Sequence, residues 1–285
     1  MSFSSDIKAK LCNTHMACDR CSAAEAAGML RFTGALAKSL IKFSTENALV
    51  AERLTFDLQD SFGIDILPIH KSKSYTFLID DAYEAENIRE RIENEDITPF
   101  ACCRISFIRG AFLGGGSISD PLKSYHIEFG TKSGIEARLL CSMLEDEGFM
   151  PKITERKGKK IVYIKECEQI ADLLGCMGAD NGALEMFNVQ IEKQMRNEIN
   201  RRVNCENANM DKSAKASSKH MYAINRLKNA GKWDSLPDVL KEIGELRTEN
   251  PDLSLKELGE MTSPPIGKSG VNHRLNRIIE YAENV

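Results

Sequence analysis

The sequence contains no apolar run near the roughly 18 residues that a membrane-spanning helix needs. Its first residues, MSFSSDIKAKLCN, do not form the apolar segment of a signal peptide. The nine cysteines are an odd number spread over 285 residues, which argues against a secreted disulfide framework. A net charge of -4 excludes a chain that is basic overall, so any nucleic-acid contact must come from a local patch. We therefore expect a cytoplasmic protein with one large domain or two ordinary ones.

The amino-terminal part of the chain contains an internal repeat. Ile41–Leu58 aligns without a gap with Ile127–Leu144, and each stretch has the pattern of a short strand followed by an amphipathic helix. Two strands around a polar turn follow each stretch. A closing helix comes next, at Ala85–Ile92 in the first copy and at Cys167–Leu174 in the second. The shared order of elements favours a duplication over a chance similarity.

A helix rich in small residues precedes each copy, at Ala26–Leu36 and at Arg109–Ser119. Gly28 in the first of these helices corresponds to Gly110 in the second. Glycine lets two backbones approach each other closely, because it has no side chain to separate them. We therefore expect the two helices to pack on each other at a pseudo-twofold axis.

The sequence predicts two domains. The duplicated domain is expected to occupy residues 1–203, with repeats at about 1–97 and 98–180 and a connecting helix after them. The Asn, Ser and Lys content of residues 204–219 favours a mobile or partly ordered linker. A small helical domain is expected over residues 220–285.

The carboxy-terminal domain has the pattern of a helix-turn-helix. Ser254 and Glu257 have the spacing of a capping box, which begins a short helix. The turn at Thr262–Gly267 contains two prolines that prevent this helix from continuing. A longer helix begins at Lys268. Its apolar stripe is formed by Val271, Leu275, Ile278 and Ala282.

The other side of this last helix carries polar and basic residues, with no acidic residue before Glu280. In a recognition helix, Asn, Arg and Lys of the first turns bond base edges in the major groove, and flanking basic residues reach phosphates. Many helical hairpins only pack against a neighbour, but the acid-free face favours DNA binding. A basic segment before the domain adds candidate phosphate contacts. The predicted DNA-binding residues are Arg201, Arg202, Lys268, Ser269, Asn272, His273, Arg274 and Arg277.

Two glycine-containing helices, each followed by strands, resemble the LAGLIDADG homing-endonuclease fold. In that family an acidic residue before the last glycine of each helix holds a divalent metal at the scissile phosphates. The corresponding positions here are Thr33 and Gly115, and neither residue bears a carboxylate. The resemblance therefore implies a scaffold that has lost its nuclease chemistry.

Further motifs are similar to those of the WhiA family of bacterial transcription regulators. They are RGAFLGGGSISDP at Arg109–Pro121, the Asn-rich segment Arg196–Lys212, and SLKELGEM with GKSGVNHRLNRI near the carboxy terminus. The resemblance covers essentially the whole chain. It implies an α+β fold in which a duplicated LAGLIDADG-like αββαββα pseudo-dimer is followed by a small all-α helix-turn-helix domain. It also implies a regulator linked to cell division, chromosome segregation and sporulation.

We predict no cofactor and no metal site. A zinc site built from one segment would use Cys12, His15, Cys18 and Cys21. Structural zinc sites usually draw on two paired sets of ligands, and the sequence has no second CxxC motif. The adjacent Cys102 and Cys103 are expected to lie too close together to chelate one ion. Free thiols are therefore the favoured interpretation, although metal binding by Cys12, Cys18 and Cys21 stays open.

Two alternatives to a non-enzymatic DNA-binding regulator stay open. One is a metal-dependent endonuclease that uses acids outside the motif, such as Asp120 or Asp80. The other is an adaptor whose duplicated domain binds a partner transcription regulator. For the favoured function we expect double-stranded DNA of the nucleoid as the partner. The duplication already supplies a pseudo-dimer within one chain, which favours a monomer.

Overall fold

The computed structural model describes residues 2–37 and 40–284. The chain forms two compact units, Met1–Gln194 and Met195–Val285. Within the described residues, no helix is both long and apolar enough to cross a membrane. The domain limits given by the sequence, at residues 203 and 219, remain predictions.

The first unit contains two copies of an αββαββα arrangement, as the repeat in the sequence predicts. Helix α1 (Phe3–Cys12) precedes both copies. The first copy comprises α2 (Cys21–Thr33), β1 (Leu36–Ala37), β2 (Leu40–Thr45), α3 (Ala48–Phe62), β3 (Ile69–Lys71), β4 (Ser74–Ile79) and α4 (Ala82–Asn94). The second copy comprises α5 (Ala101–Gly115), β5 (Gly116–Ile118), β6 (Ile127–Thr131), α6 (Gly134–Asp146), β7 (Lys152–Arg156), β8 (Lys159–Ile164) and α7 (Cys167–Met177).

Each copy forms a four-stranded antiparallel sheet. The strand orders are β1-β2-β4-β3 and β5-β6-β8-β7, so the two copies share one topology. Phe43 faces Phe77 across the first sheet, and Phe129 faces Val162 at the matching place in the second. All four side chains are buried, because one face of each sheet packs against the helices of the unit.

Helices α2 and α5 pack directly on each other, which confirms the contact predicted from their small residues. A Cβ atom added to Gly28 would collide with the carbonyl oxygen of Phe107, and one added to Gly110 would collide with that of Glu25. Glycine is therefore required at both positions. Helix α2 ends before Gly34, whose φ of +70° is left-handed, so it is shorter at this end than the sequence predicts.

A buried charged cluster joins three helices of the first unit. The carboxylate of Glu25 on α2 accepts hydrogen bonds from Arg53 of α3, at 2.7 Å, and from Arg109 of α5. Burial and the proximity of Glu25 raise the pKa of Asp57 well above its usual range. Both arginines are at least nine-tenths buried, so their role here is to hold the helices together.

Four helices build the second compact core. Helix α8 (Asp180–Asn229) is followed by a 3-10 turn (Trp233–Ser235) and by α9 (Asp238–Glu249), α10 (Leu255–Glu260) and α11 (Lys268–Glu283). Trp233, the single tryptophan of the chain, is 9% exposed in this core. The residues around it include Ala223, Ile224, Leu227, Leu240, Ile243, Leu258, Val271, Leu275 and Ile278.

Residues 204–219, for which the sequence favours a mobile or partly ordered linker, are helical in the structure. The connecting helix was predicted to end near Val203 and instead continues to Asn229. The chain has no glycine or proline between Gly182 and Gly231, so nothing in its local chemistry stops a helix there. The Asn and Ser content lowers helix propensity without ending the helix.

Candidate nucleic-acid interface

Helices α10 and α11 form the predicted helix-turn-helix. The Oγ of Ser254 accepts a hydrogen bond from the backbone N–H of Glu257, and the Glu257 carboxylate accepts one from the backbone N–H of Ser254. This capping box begins α10 where the sequence predicts it. Gly259 of α10 contacts the turn that follows this helix, and a Cβ atom at Gly259 would collide with the carbonyl oxygen of Ile266. The turn therefore packs closely on α10.

The apolar stripe predicted for α11 faces the core. Its four members are at most 3% exposed: Val271, Leu275, Ile278 and Ala282. Because residues three and four apart share one face of a helix, this stripe fixes which side chains point away from the protein. The polar residues of α11 consequently divide among an outer face and two flanks.

The outer face of α11 consists of Ser269, His273 and Arg277, and all three side chains are exposed. Lys268, the first residue of the helix, is also exposed. The guanidinium of Arg277 lies 3.8 Å from the carboxylate of Glu280, one turn further along. An exposed pair of this kind contributes little to stability, so Arg277 remains available to a ligand.

Arg274 lies on the flank of α11 that faces α9. Its side chain is 23% exposed, and its guanidinium lies 3.6 Å from the carboxylate of Glu242. Glu242 also accepts a hydrogen bond from the backbone N–H of Ser263, at 2.8 Å. The sequence grouped Arg274 with the DNA-binding residues, whereas the structure gives it a contact that holds α9, the turn and α11 together.

Asn272 and Asn276 lie on the opposite flank of α11, where they line an open groove of about 680 Å³ against the last turns of α8. Lys219 and Arg226 of α8 line the same groove and add positive charge. The sequence did not predict this proximity. The groove therefore brings amide and basic groups together beside the outer face of α11.

Arg201 and Arg202 are exposed on α8 but do not line this groove. At a rise of 1.5 Å per residue, they lie about 20 Å along the helix from its first groove residue, Ala216. Arg202 lies 3.9 Å from Glu198 on the same helix. Their role in DNA binding stays a prediction, and a contact from them would be separate from that of α11.

The charges of the second unit are unequal on the two sides of α11. The flank formed by α9 presents four acidic side chains, those of Asp238, Glu242, Glu245 and Glu249, and one basic side chain, that of Lys241. The α8 flank presents two basic side chains, those of Lys219 and Arg226, and one acidic side chain, that of Glu283. Because DNA phosphates repel carboxylates, the outer face and the α8 flank are the sides on which a duplex fits.

His220 of α8 is a residue that the sequence gave no reason to select. It is 4% exposed, and its Nδ1 atom has no hydrogen-bond partner within the described structure. Burial, together with the charge of Arg247, lowers the pKa of His220 to about 4. The imidazole is therefore neutral at pH 7.

The two positions that carry metal-binding acids in LAGLIDADG endonucleases lie in one cleft of the first unit. The hydroxyl of Thr33 donates to the carbonyl oxygen of Met29 at 2.8 Å, so it is engaged by its own helix. A Cβ atom at Gly115 would lie 2.7 Å from the carbonyl oxygen of Gly130. The second position therefore has no room for a carboxylate side chain on this backbone.

Glu128 is an acidic residue in this cleft that the sequence did not single out. Its carboxylate lies 3.0 Å from Arg156 and 3.1 Å from His126. Although partial burial acts in the opposite direction, these two neighbours lower its pKa. Asp120 accepts a hydrogen bond from the backbone N–H of Leu122 at 2.9 Å and lies outside the lining of the cleft.

The structure brings the adjacent Cys102 and Cys103 close to the cysteines of the CxxC motif, a proximity that the sequence did not predict. Four sulfur atoms lie within 4.8 Å of one another, those of Cys18, Cys21, Cys102 and Cys103. Cys12 and His15, the other members of the single-segment set, do not belong to this group. Burial and the proximity of Glu25 raise the pKa of the Cys12 thiol to about 12, so that thiol stays protonated.

Three family models match the chain. The WhiA N-terminal LAGLIDADG-like domain matches residues 19–76, the WhiA LAGLIDADG-like domain matches residues 104–196, and the WhiA C-terminal HTH domain matches residues 199–282. These matches follow the order of the two repeats and the helix-turn-helix in the structure.

Curated relatives and a solved structure agree with these models. A probable cell division protein WhiA from Alkaliphilus oremlandii is 40% identical over 310 residues, which cover 99% of this chain and 97% of the relative. A probable cell division protein WhiA from Thermoanaerobacter pseudethanolicus is 40% identical over 315 residues, which cover 100% of this chain and 98% of the relative. The crystal structure of full-length DUF199/WhiA from Thermatoga maritima is similar with a TM-score of 0.64 at 26% identity, over 100% of this chain and 99% of that chain. The chain belongs to the WhiA family.

Proposed function

We propose that this protein is a DNA-binding transcriptional regulator linked to cell division, chromosome segregation and sporulation, without nuclease activity. The observation that carries the proposal is the outer face of α11, where Ser269, His273 and Arg277 are exposed on a helix anchored by four buried apolar residues. The names of the relatives, probable cell division proteins, support the biological link.

The geometry favours a particular way of binding. The first turns of α11 enter the major groove, and α10 crosses the backbone. Ser269 and His273 then face base edges, while Lys268 and Arg277 reach bases or phosphates. The acidic α9 flank points away from the duplex.

We further propose that the protein acts as a monomer on double-stranded DNA of the nucleoid. In a chain with a single repeat, such a helix pair would form only between two copies of the chain. Here α2 and α5 form the pair within one chain. The close contacts at Gly28 and Gly110 are made between two helices of the same chain. This supports the monomer.

The loss of nuclease activity rests on the cleft at the ends of α2 and α5. Metal-assisted phosphodiester hydrolysis needs carboxylates beside the scissile phosphate. Thr33 and Gly115 supply none, and the carboxylate of Glu128 is paired with Arg156 and His126. We therefore expect the cleft to bind no catalytic metal.

A binding experiment tests the proposal on the full chain. Genomic fragments that the protein enriches are labelled and titrated at several salt concentrations in the presence of Mg²⁺. We expect His273→Ala/Arg277→Ala to weaken binding at least about tenfold, because each specific base contact is worth about 1–3 kcal/mol. Lys268→Ala should lower the slope of log affinity against log salt by about one, because it removes one phosphate contact.

The matched control is Lys241→Ala, which removes one positive charge from the acidic flank, where Lys241 pairs with Asp238 at 3.0 Å. This variant should bind within about twofold of the parent protein, since distant charges are screened by salt. Unchanged affinity of the folded double variant would overturn the assignment of α11. Nicked or shortened DNA after incubation would overturn the loss of nuclease activity.

A further inference from the structure

The four clustered cysteines come from two separate parts of the first unit. Cys18 lies in the loop before α2, and Cys21 is the first residue of that helix. Cys102 and Cys103 lie in the first turn of α5. Because α2 and α5 pack on each other along their glycines, the amino-terminal ends of the two helices meet at this point.

The distances among the sulfur atoms suit a single coordinated ion. The Sγ of Cys18 lies 3.4 Å from that of Cys21, 3.5 Å from that of Cys103 and 3.6 Å from that of Cys102. Zinc–sulfur bonds of about 2.3 Å in a tetrahedron place neighbouring sulfurs about 3.8 Å apart. The three sulfur–sulfur distances from Cys18 are slightly shorter than this value, and no two of the four sulfurs lie more than 4.8 Å apart.

Other arrangements of the four sulfurs fit less well. A disulfide needs two sulfurs at about 2.05 Å, whereas each of the three distances from Cys18 exceeds 3 Å. A cluster of several iron atoms needs room for its bridging sulfides among the cysteines, and a group this compact encloses only one ion. Four thiolates in a tetrahedron are the ligand set typical of zinc.

The surroundings of the group allow an ion to enter and place two helix ends beside it. Cys21 and Cys103 are fully buried, while Cys18 and Cys102 are partly exposed. The amino-terminal ends of α2 and α5 carry partial positive charge, which stabilises negatively charged ligands.

We propose that Cys18, Cys21, Cys102 and Cys103 bind one Zn²⁺ ion and so join the two repeats at the amino-terminal ends of α2 and α5. Binding releases the protons that these thiols carry, because only the thiolate is a ligand. With all four positions filled by protein, no place is left for water or substrate. The role of the ion is therefore structural, and it links two segments more than 80 residues apart in the sequence.

The test uses the full chain without an affinity tag, purified under reducing conditions from zinc-supplemented medium. Metal analysis should find about one zinc per chain. Cys18→Ser/Cys103→Ser should reduce this at least about tenfold, because loss of two of the four ligands leaves a weak site. The control Cys176→Ser/Cys205→Ser removes two exposed thiols outside the group and should keep the zinc.

A second measurement does not depend on the folding of the variants. The metal-free parent chain is titrated with Co²⁺ and should develop the visible absorption of a tetrahedral tetrathiolate, saturating at about one equivalent. Zinc should then remove that absorption. A chain that contains iron instead, that shows a disulfide among these cysteines by mass spectrometry, or that binds neither zinc nor cobalt while folded, would overturn the proposal.

Discussion

His220 and Arg247 show how one enclosed pair makes the second unit sensitive to pH. The guanidinium of Arg247 is buried and donates a hydrogen bond to the carbonyl oxygen of Leu253 at 2.7 Å, so it stays in place beside the imidazole. Burial of the imidazole and then the charge of Arg247 both disfavour a positive charge on His220, so its pKa is lowered to about 4. The unfolded chain has no such constraint and titrates near 6.5.

We therefore expect the second unit to lose stability as the pH falls from about 6.5 to about 4. Over that window the unfolded state takes up a proton at His220 and the folded state does not, which lowers the free energy of unfolding by up to about 3 kcal/mol. Trp233 fluorescence during urea unfolding at several pH values measures this. His220→Gln should remove that part of the pH dependence, and an identical pH profile in the variant would contradict the explanation.

The pairing of Arg274 could not be derived from its own helix. Periodicity places Arg274 next to the outer face of α11, and the sequence prediction therefore grouped it with the DNA-binding residues. Its partner Glu242 lies 32 positions earlier on another helix. The direction of a flank residue depends on which helix packs beside it, and the pattern of one helix does not contain that information.

At the scale of elements, the contact between α2 and α5 leaves no room for a side chain at Gly28 or Gly110. We expect Gly110→Ala to destabilise this unit by about 3 kcal/mol, because the added methyl group meets the backbone of Glu25, which cannot move without shifting α2. Circular dichroism during urea unfolding measures the change.

The matched control for this substitution is Gly134→Ala, also at a helical glycine. The nearest atom to an added Cβ atom there is Nη1 of Arg138, at 3.6 Å, which is ordinary contact with a flexible side chain. Alanine has the higher helix propensity, so this variant should be neutral or slightly more stable. Equal destabilisation by the two substitutions would show that close packing is not the cause.

The repeat contained a signal for the cysteine group that the sequence analysis did not use. Cys21 lies seven residues before Gly28, and Cys103 lies seven residues before Gly110. The two cysteines are therefore equivalent positions on helices that pack about a pseudo-twofold axis, and equivalent positions near such an axis meet. Cys102 lies beside Cys103 on α5, and the convergence of Cys18 with them follows only from the path of the loop before α2.

At the scale of the whole molecule, the two units have separate apolar cores. The core residues around Trp233 all come from the second unit, and those around α2 and α5 all come from the first. We expect Gly110→Ala to shift the unfolding midpoint measured by circular dichroism while the midpoint measured by Trp233 fluorescence stays within error. An equal shift of both midpoints would show that the units unfold together.

The sequence by itself determined the duplication, the order of elements in each copy, the helix-turn-helix with its capping box, and the missing carboxylates at Thr33 and Gly115. These features are local, because they depend on periodicity, turn chemistry and residue type. The tertiary structure alone decided that Cys18 and Cys21 meet Cys102 and Cys103, and that Arg274 pairs with Glu242. Contacts between distant segments depend on how whole elements pack, and short-range patterns do not encode that packing.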